Sequence, residues 1–168
     1  ASAADAVTQL DIDTEDLIKE RLHTFDSSID FVGEESEKDE KILDGIQRYW
    51  LLDPIDGTSH FVRGIPFCTT MLALVEDKQV VFSIIYNFVT KELFIAEKGR
   101  GATLNGKALT VSDRTLAQAY LFVEADLRKE ENLPRYSALR KRTPIASTIS
   151  CGYEYGLIAS GKIDGRIC

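Results

Sequence analysis

The sequence feature that most constrains this chain is a polar turn that follows a short apolar strand. Residues 49–52 predict a strand that stops at the segment DPIDGT, residues 53–58. A strand, a polar turn and a helix in succession place backbone N–H groups at a helix N-terminus, which is a ready site for anions. Asp53 and Asp56 are three residues apart, and their oxygens would select Mg²⁺, Ca²⁺ or Mn²⁺. The segment therefore predicts a phosphate site beside a carboxylate-bound metal, with an Asp-Pro turn and an Asx cap as the alternative.

A second acidic segment follows the preceding predicted strand. Residues 29–32 are apolar and lead into GEES, residues 33–36. If the two strands run side by side, their ends bring Glu34 towards Asp53 and Asp56. Three carboxylates without a basic partner repel one another strongly unless cations lie between them. We therefore predict that Glu34 is a metal ligand, whereas the other acidic residues that follow it are typical of a solvated loop.

The rest of the pattern predicts an α/β or α+β protein with layers and a largely antiparallel central sheet. Helical spacing of apolar residues predicts a first helix over residues 13–24, with Asp13 as its N-cap. Hairpin turns are predicted at residues 76–78 and 105–106. Further strands are predicted at residues 69–75, 80–86, 93–96, 103–104, 107–111 and 120–123, and helical segments around Leu116 and at residues 136–140 and 150–160.

Composition narrows the function classes. The 168 residues suit one domain, and the longest uncharged stretches have 12 residues, whereas a membrane-spanning helix needs about 20. Residues 1–60 contain 16 Asp and Glu and 5 Lys and Arg, a net charge of −11 that disfavours nucleic acid and favours cations. Cys68, Cys151 and Cys168 are far apart and odd in number, which indicates free thiols in a reducing, cytoplasmic setting.

Several segments resemble, in order along the chain, those of the inositol monophosphatase family: VTQLD at residues 7–11, GEES at 33–36, WLLDPIDGTSHFV at 50–62, SIIYNFVTKELFIAEKGRGATLNG at 83–106 and LIASGKIDG at 157–165. The pairing of DPIDGT with an upstream GEES is specific. The resemblance implies a layered α/β/α/β/α sugar-phosphatase sandwich. It also implies one domain over residues 1–168 that lacks the family's first helix and its C-terminal Trp-Asp motif, and so is incomplete at the C-terminal end.

The resemblance implies a set of metal ligands. A first Mg²⁺ is expected at Glu34, Asp53 and the main-chain carbonyl of Ile55. A second is expected at Asp53 and Asp56, completed in the family by the aspartate of the Trp-Asp motif. A third, weaker ion is implied near Glu34, so the cofactor expectation is two or three Mg²⁺ ions.

The resemblance also implies catalytic and substrate-binding residues. Asp11 and Thr58 are expected to form a hydrogen-bonded pair that orients the attacking water, with Glu34 as the third catalytic residue. The amides of Gly57 and Thr58 are expected to hold the phosphate, and Asp56 to touch the substrate as well. Asp11 as the acceptor makes chemical sense, because a neutral threonine hydroxyl cannot act as a base unaided. As the alternative, Asp11 could cap the first helix.

The function implied is Mg²⁺-dependent hydrolysis of a small polyol or sugar phosphate monoester, first of all inositol monophosphate, by a metal-activated water. Such hydrolysis depends on positioning and charge neutralisation, which two neighbouring cations supply. The alternatives are a phosphatase of nucleotide bisphosphate, fructose bisphosphate or histidinol phosphate, and a mainly protein-binding, transcription-associated family member. The family also implies lithium sensitivity and a homodimer when the chain is complete. The acidic charge and the short uncharged stretches lead us to expect neither nucleic acid nor a membrane as partner.

This sequence departs from the family in three respects. One is Ile149-Ser150, where the family often has Gly-Ser before the late helix. Its only tryptophan, Trp50, precedes the DPIDGT segment, so the Trp-Asp motif is absent from the 168 residues. With two carboxylates at the second metal position, we expect the chain to hold the first ion well, the second weakly, and to be slow or inactive alone. Cys168 falls where inositol-specific members place a substrate-binding glutamate, so the contacts to the inositol ring are not implied.

Overall fold

The computed structural model describes residues 9–35, 45–124, 129–146 and 150–167, which form ten strands and four helices. Their order is α1 (Gln9–Phe25), β1 (Asp30–Gly33), β2 (Arg48–Asp56), α2 (Thr58–Phe61), β3 (Thr69–Glu76), β4 (Gln79–Asn87), β5 (Glu92–Glu97), β6 (Gly101–Leu104), β7 (Lys107–Ala108), β8 (Leu121–Val123), α3 (Asn132–Arg140), β9 (Ile145–Ala146), α4 (Cys151–Ala159) and β10 (Gly165–Ile167). No helix among these residues has both the length and the apolar character needed to cross a membrane.

The larger sheet contains β1 to β7 in chain order, and it is the largely antiparallel sheet that the sequence predicts. Only β1 and β2 pair in parallel within it. Asp77 and Lys78 both have positive φ in the turn between β3 and β4, and Asn105 and Gly106 do so between β6 and β7. Two successive positive φ angles match the right-handed twist of paired strands, so both predicted hairpins are confirmed.

The layers confirm the predicted α/β/α/β/α arrangement. Leu22 of α1 packs on the Trp50 and Leu74 face of the larger sheet. Gly152 and Gly156 of α4 lie against Met71 and Phe94, which strand alternation places on the opposite face. The smaller sheet has the order β10-β8-β9 with parallel pairs throughout, and its strand β10 contacts α4. Its outer face packs on α3.

Four local predictions were wrong. The strand predicted at residues 107–111 ends already at Ala108. The first helix begins at Gln9, so Asp13 lies inside α1, where it accepts a hydrogen bond from Gln9, and is not the N-cap. Strand β2 does not stop before Asp53 but continues to Asp56, with a shift of its register against β3 in between. Around Leu116 the chain forms turns and no helix.

Candidate metal and phosphate site

The two acidic segments meet because β1 and β2 are parallel neighbours. Gly33 pairs with Leu52, so Glu34 and Asp53 emerge side by side at the ends of the paired segments. The backbone N–H of Glu34 donates to the carbonyl of Leu52 at 3.0 Å, which extends the ladder by one bond. The arrangement on which the sequence prediction for Glu34 depended is therefore present.

Asp53 lies in a strongly unfavourable environment for a negative charge. Burial, together with the charges of Glu34 and Asp56, a hydrogen bond with Glu34 and the charge of Asp11, raises the pKa of Asp53 to about 8. Its Oδ1 is buried and has no hydrogen-bond partner among the described residues. A carboxyl group surrounded by carboxylates, with one oxygen unpaired, matches the all-oxygen donor set that Mg²⁺ and Ca²⁺ require.

Asp56 is held by the N-terminus of α4. Its Oδ2 accepts hydrogen bonds from Ser150 Oγ at 2.7 Å, from Gly152 N at 2.9 Å and from Thr69 Oγ1 at 3.2 Å. Its Oδ1 accepts from Cys151 N at 3.1 Å. The sequence analysis missed these four partners. A helix at residues 150–160 was predicted, but nothing in the local sequence shows that its first turn meets Asp56.

In the part of the chain that the structure describes, no three His, Cys, Asp or Glu side chains form a preassembled metal-binding group. Glu34 and Asp53 are neighbours, whereas both oxygens of Asp56 accept hydrogen bonds from α4 or β3. The assignment of Glu34, Asp53, Ile55 and Asp56 as metal ligands therefore stays a prediction.

The expected pair of Asp11 and Thr58 is arranged differently. Thr58 Oγ1 donates to the main-chain carbonyl of Ile55 at 2.9 Å, so its only hydroxyl proton points to that carbonyl and not to Asp11. Asp11 lies within α1, not at its cap, and is 2% exposed. Its charge reaches Asp53. Asp11 is thus buried and its charge adds to those that raise the pKa of Asp53, while its water-orienting role stays a prediction.

Gly57 shapes the turn between β2 and α2. Its φ of 82° and ψ of 36° lie in the left-handed region. A Cβ at this position would lie 2.7 Å from the carbonyl oxygen of Phe67. The turn therefore needs glycine for two reasons. Its backbone is left-handed, and the loop that precedes β3 comes close to it at Phe67.

We expect Gly57→Ala to lower the free energy of unfolding by about 2 kcal/mol or more, because it adds steric overlap to the left-handed penalty. Gly106→Ala is the matched control: its φ is 79°, but nothing lies within 4 Å of its added Cβ. The control should cost only the conformational term of about 1 kcal/mol. Urea denaturation of both variants measures the difference, and equal losses would contradict the steric argument.

The pKa of Asp53 predicts how the metal-free protein responds to pH. The unfolded carboxyl ionises near its ordinary pKa of 3.8, whereas the folded one ionises near 8, so the folded state binds the extra proton in between. The contribution of Asp53 to stability is complete below pH 3.8 and is lost as the pH rises to about 8, by at most about 1.4 kcal/mol per unit. Urea denaturation of the wild type and Asp53→Asn in EDTA isolates this slope. Parallel pH curves for the two proteins would refute it.

The layers and the strand-end carboxylates define a protein of the layered sugar-phosphatase fold. The chain belongs to the inositol monophosphatase family, whose sequence model matches residues 1–167. It is 40% identical over 168 residues to "Inositol-1-monophosphatase" of Rhizobium meliloti (strain 1021), and 41% identical over 170 residues to "Inositol monophosphatase" of Dictyostelium discoideum. Each comparison covers 96% of this chain and 62% of the relative.

A solved structure shows the same fold. The crystal structure of extragenic suppressor protein suhB from Bartonella henselae superposes with a TM-score of 0.87 at 30% sequence identity. The match covers 97% of this chain and 65% of that one. The chain thus spans less than two thirds of the length of each of these three proteins.

Proposed function

We propose that this protein is a Mg²⁺-dependent phosphomonoesterase that hydrolyses inositol monophosphate or a similar small polyol or sugar phosphate. The observation that carries the proposal is the environment of Asp53. Its carboxyl is buried among Glu34, Asp56 and Asp11, and the charges that raise its pKa are all negative. Such a cluster is costly in a protein that holds no cation there. Membership of the inositol monophosphatase family supports the same chemistry.

Glu34, Asp53 and the carbonyl of Ile55 are the groups that would hold the first cation. The unpaired buried Oδ1 of Asp53 supports this choice. Asp56 would contribute to a second ion, in exchange for some of its hydrogen bonds to α4. When bound, the cations would activate a water molecule and neutralise charge on the phosphoryl group and the leaving oxygen.

The chain's own residues bind and orient the reactants. The amides of Gly57 and Thr58, at the turn that Gly57 shapes, would bind phosphate oxygens. The Thr58 hydroxyl would accept a hydrogen bond from the attacking water and so orient it. It would donate its own proton to Asp11 once its hydrogen bond to the carbonyl of Ile55 has broken. That hydroxyl must rotate, since it donates to Ile55 in this structure. Asp56 would contact the substrate once some of its hydrogen bonds to α4 have broken.

Several finer features belong to the same proposal. We place the protein in the cytoplasm, a setting that the free thiols of Cys68 and Cys151 support; Cys168 lies outside the described residues. The 168-residue chain alone should turn over slowly, because Asp56 is engaged by α4 and the second ion has only two carboxylates here. Lithium sensitivity and a homodimer are expected of a version extended to the length of its relatives.

Phosphate release tests the function directly. The 168-residue chain and a version extended to the length of its relatives are incubated with inositol 1-phosphate, fructose bisphosphate, a nucleotide bisphosphate and histidinol phosphate. We expect Mg²⁺-dependent release, abolished by EDTA, to be fastest with inositol 1-phosphate and faster in the extended protein. If neither protein releases phosphate from any compound, the proposal fails. If another compound is hydrolysed fastest, the proposed substrate changes, but the proposed Mg²⁺-dependent phosphate hydrolysis stands.

A further inference from the structure

Glu15 is a buried acidic residue that the proposed chemistry does not use. It lies one helical turn after Asp11 on the same side of α1, and it is 4% exposed. Its Oε2 accepts a hydrogen bond from the backbone N–H of Glu35 at 3.0 Å. A helix side chain therefore reaches the turn that carries Glu34, twenty residues further along the chain.

The same carboxylate explains why residue 33 is glycine. A Cβ built on Gly33 would lie 2.1 Å from Cδ and Oε2 of Glu15 and 2.3 Å from its Oε1. All three atoms of the carboxylate thus lie directly over the Cα of Gly33. A Cβ at residue 33 would therefore force the Glu15 carboxylate to move away from its present position.

These contacts fix the backbone on both sides of Glu34. The carboxylate of Glu15 covers Gly33 and binds the N–H of Glu35, while the N–H of Glu34 donates to Leu52. We infer that Glu15 is a positioning residue, which holds residues 33–35 so that the Glu34 side chain faces Asp53. The inference deepens the proposed function, since it assigns Glu15 the task of preparing Glu34 for a cation.

Three variants separate positioning from general stability. Glu15→Gln keeps the volume and an oxygen acceptor for the Glu35 N–H, Glu15→Ala removes both, and Glu20→Ala removes an exposed glutamate of the same helix. With Mn²⁺ alone as the probe, followed by electron paramagnetic resonance on folded protein, we expect about tenfold weaker binding in Glu15→Ala. Glu15→Gln should remain within threefold of the wild type, and Glu20→Ala should not change.

A double-mutant cycle tests the contact without any metal. Gly33→Ala should lower the urea midpoint in the wild type, and by less than half as much in the Glu15→Ala background, where the obstructing carboxylate is gone. Amide hydrogen exchange at Glu35 should be faster in Glu15→Ala and retained in Glu15→Gln. These readouts do not depend on activity.

The outcomes distinguish this inference from the proposed function. Weaker Mn²⁺ binding and faster Glu35 exchange in Glu15→Ala, with rescue by Glu15→Gln, support the positioning role. A lower urea midpoint in Glu15→Ala with unchanged Mn²⁺ affinity would overturn it, and so would additive effects of Gly33→Ala and Glu15→Ala. If the wild type binds no Mn²⁺, the metal site of the proposed function fails, and the cycle and the Glu35 exchange alone decide whether Glu15 positions the turn.

Discussion

Asp53→Asn is expected to weaken divalent-cation binding by about 100-fold or more while making the metal-free protein more stable. The two effects have one cause, the crowding of Asp53 by Glu34, Asp56 and Asp11 that raises its pKa to about 8. A bound cation is attracted by the negative charge of the Asp53 carboxylate and would be ligated by its oxygens. The neutral amide of Asn removes that charge and one of the two oxygens. Without the cation, the folded protein must keep Asp53 protonated at pH 7, which costs free energy. At about 1.4 kcal/mol per unit from pH 3.8 to 7, the amide should raise the free energy of unfolding by at most about 4 kcal/mol.

Asp77→Asn is the matched control for this prediction. Asp77 is an exposed turn residue with a φ of 49°, a conformation that asparagine tolerates well. The control should change neither the affinity for Mn²⁺ nor the urea midpoint in EDTA. A stabilised Asp53→Asn protein that still binds Mn²⁺ like the wild type would show that the cluster is not the cation site. A destabilised one would contradict the environment assigned to Asp53.

The strands of the larger sheet could be predicted because their signals are local. Alternating and apolar runs gave β3, β4 and β5 within a residue of their observed ends, and turn sequences gave both hairpins. That β1 and β2 end side by side could only be assumed from the sequence, since no local pattern shows which strands pair. Register within a hairpin follows from its turn, whereas a parallel pair depends on the whole crossover.

In helix α1 the buried face is acidic, so a hydrophobic pattern does not identify it. The spacing of apolar residues predicts this helix, yet Leu17 is 53% exposed and Phe25 is 80% exposed. The buried residues of the helix are Asp11 and Glu15, which a hydrophobic pattern assigns to the solvent. Because the residues that α1 buries are acidic and not apolar, the helix start and the contacts of Glu15 were both missed.

The contacts of Asp56 could not be predicted for a different reason. Its partners in the first turn of α4 lie 94 to 96 residues further along the chain. The strands of the smaller sheet have only two or three residues, too few for any periodicity to appear. A long-range contact that depends on such short elements is fixed by packing, not by a local sequence signal.

Arg166→Met is expected to lower the free energy of unfolding by about 3–5 kcal/mol, because it breaks a buried ion pair from one side. Arg166 Nε lies 2.5 Å from Glu154 Oε2, and the side chains are 5% and 3% exposed. The same guanidinium also pairs with Glu124 and donates to Cys151 Sγ at 2.8 Å. Methionine fills much of the volume but leaves the charge of Glu154 without its arginine.

Two further variants show whether the loss comes from the uncompensated charge. Arg48→Met breaks the exposed pair of Arg48 and Glu76 and should cost at most about 1 kcal/mol. Replacing Glu154 by methionine together with Arg166 should cost less than Arg166→Met alone, since an apolar pair of similar volume has no desolvated charge. If urea denaturation gives Arg166→Met and Arg48→Met the same loss, the ion pair does not stabilise the junction of β10 and α4. A large loss would mean that this pair stabilises α4, the helix whose N-terminus holds Asp56.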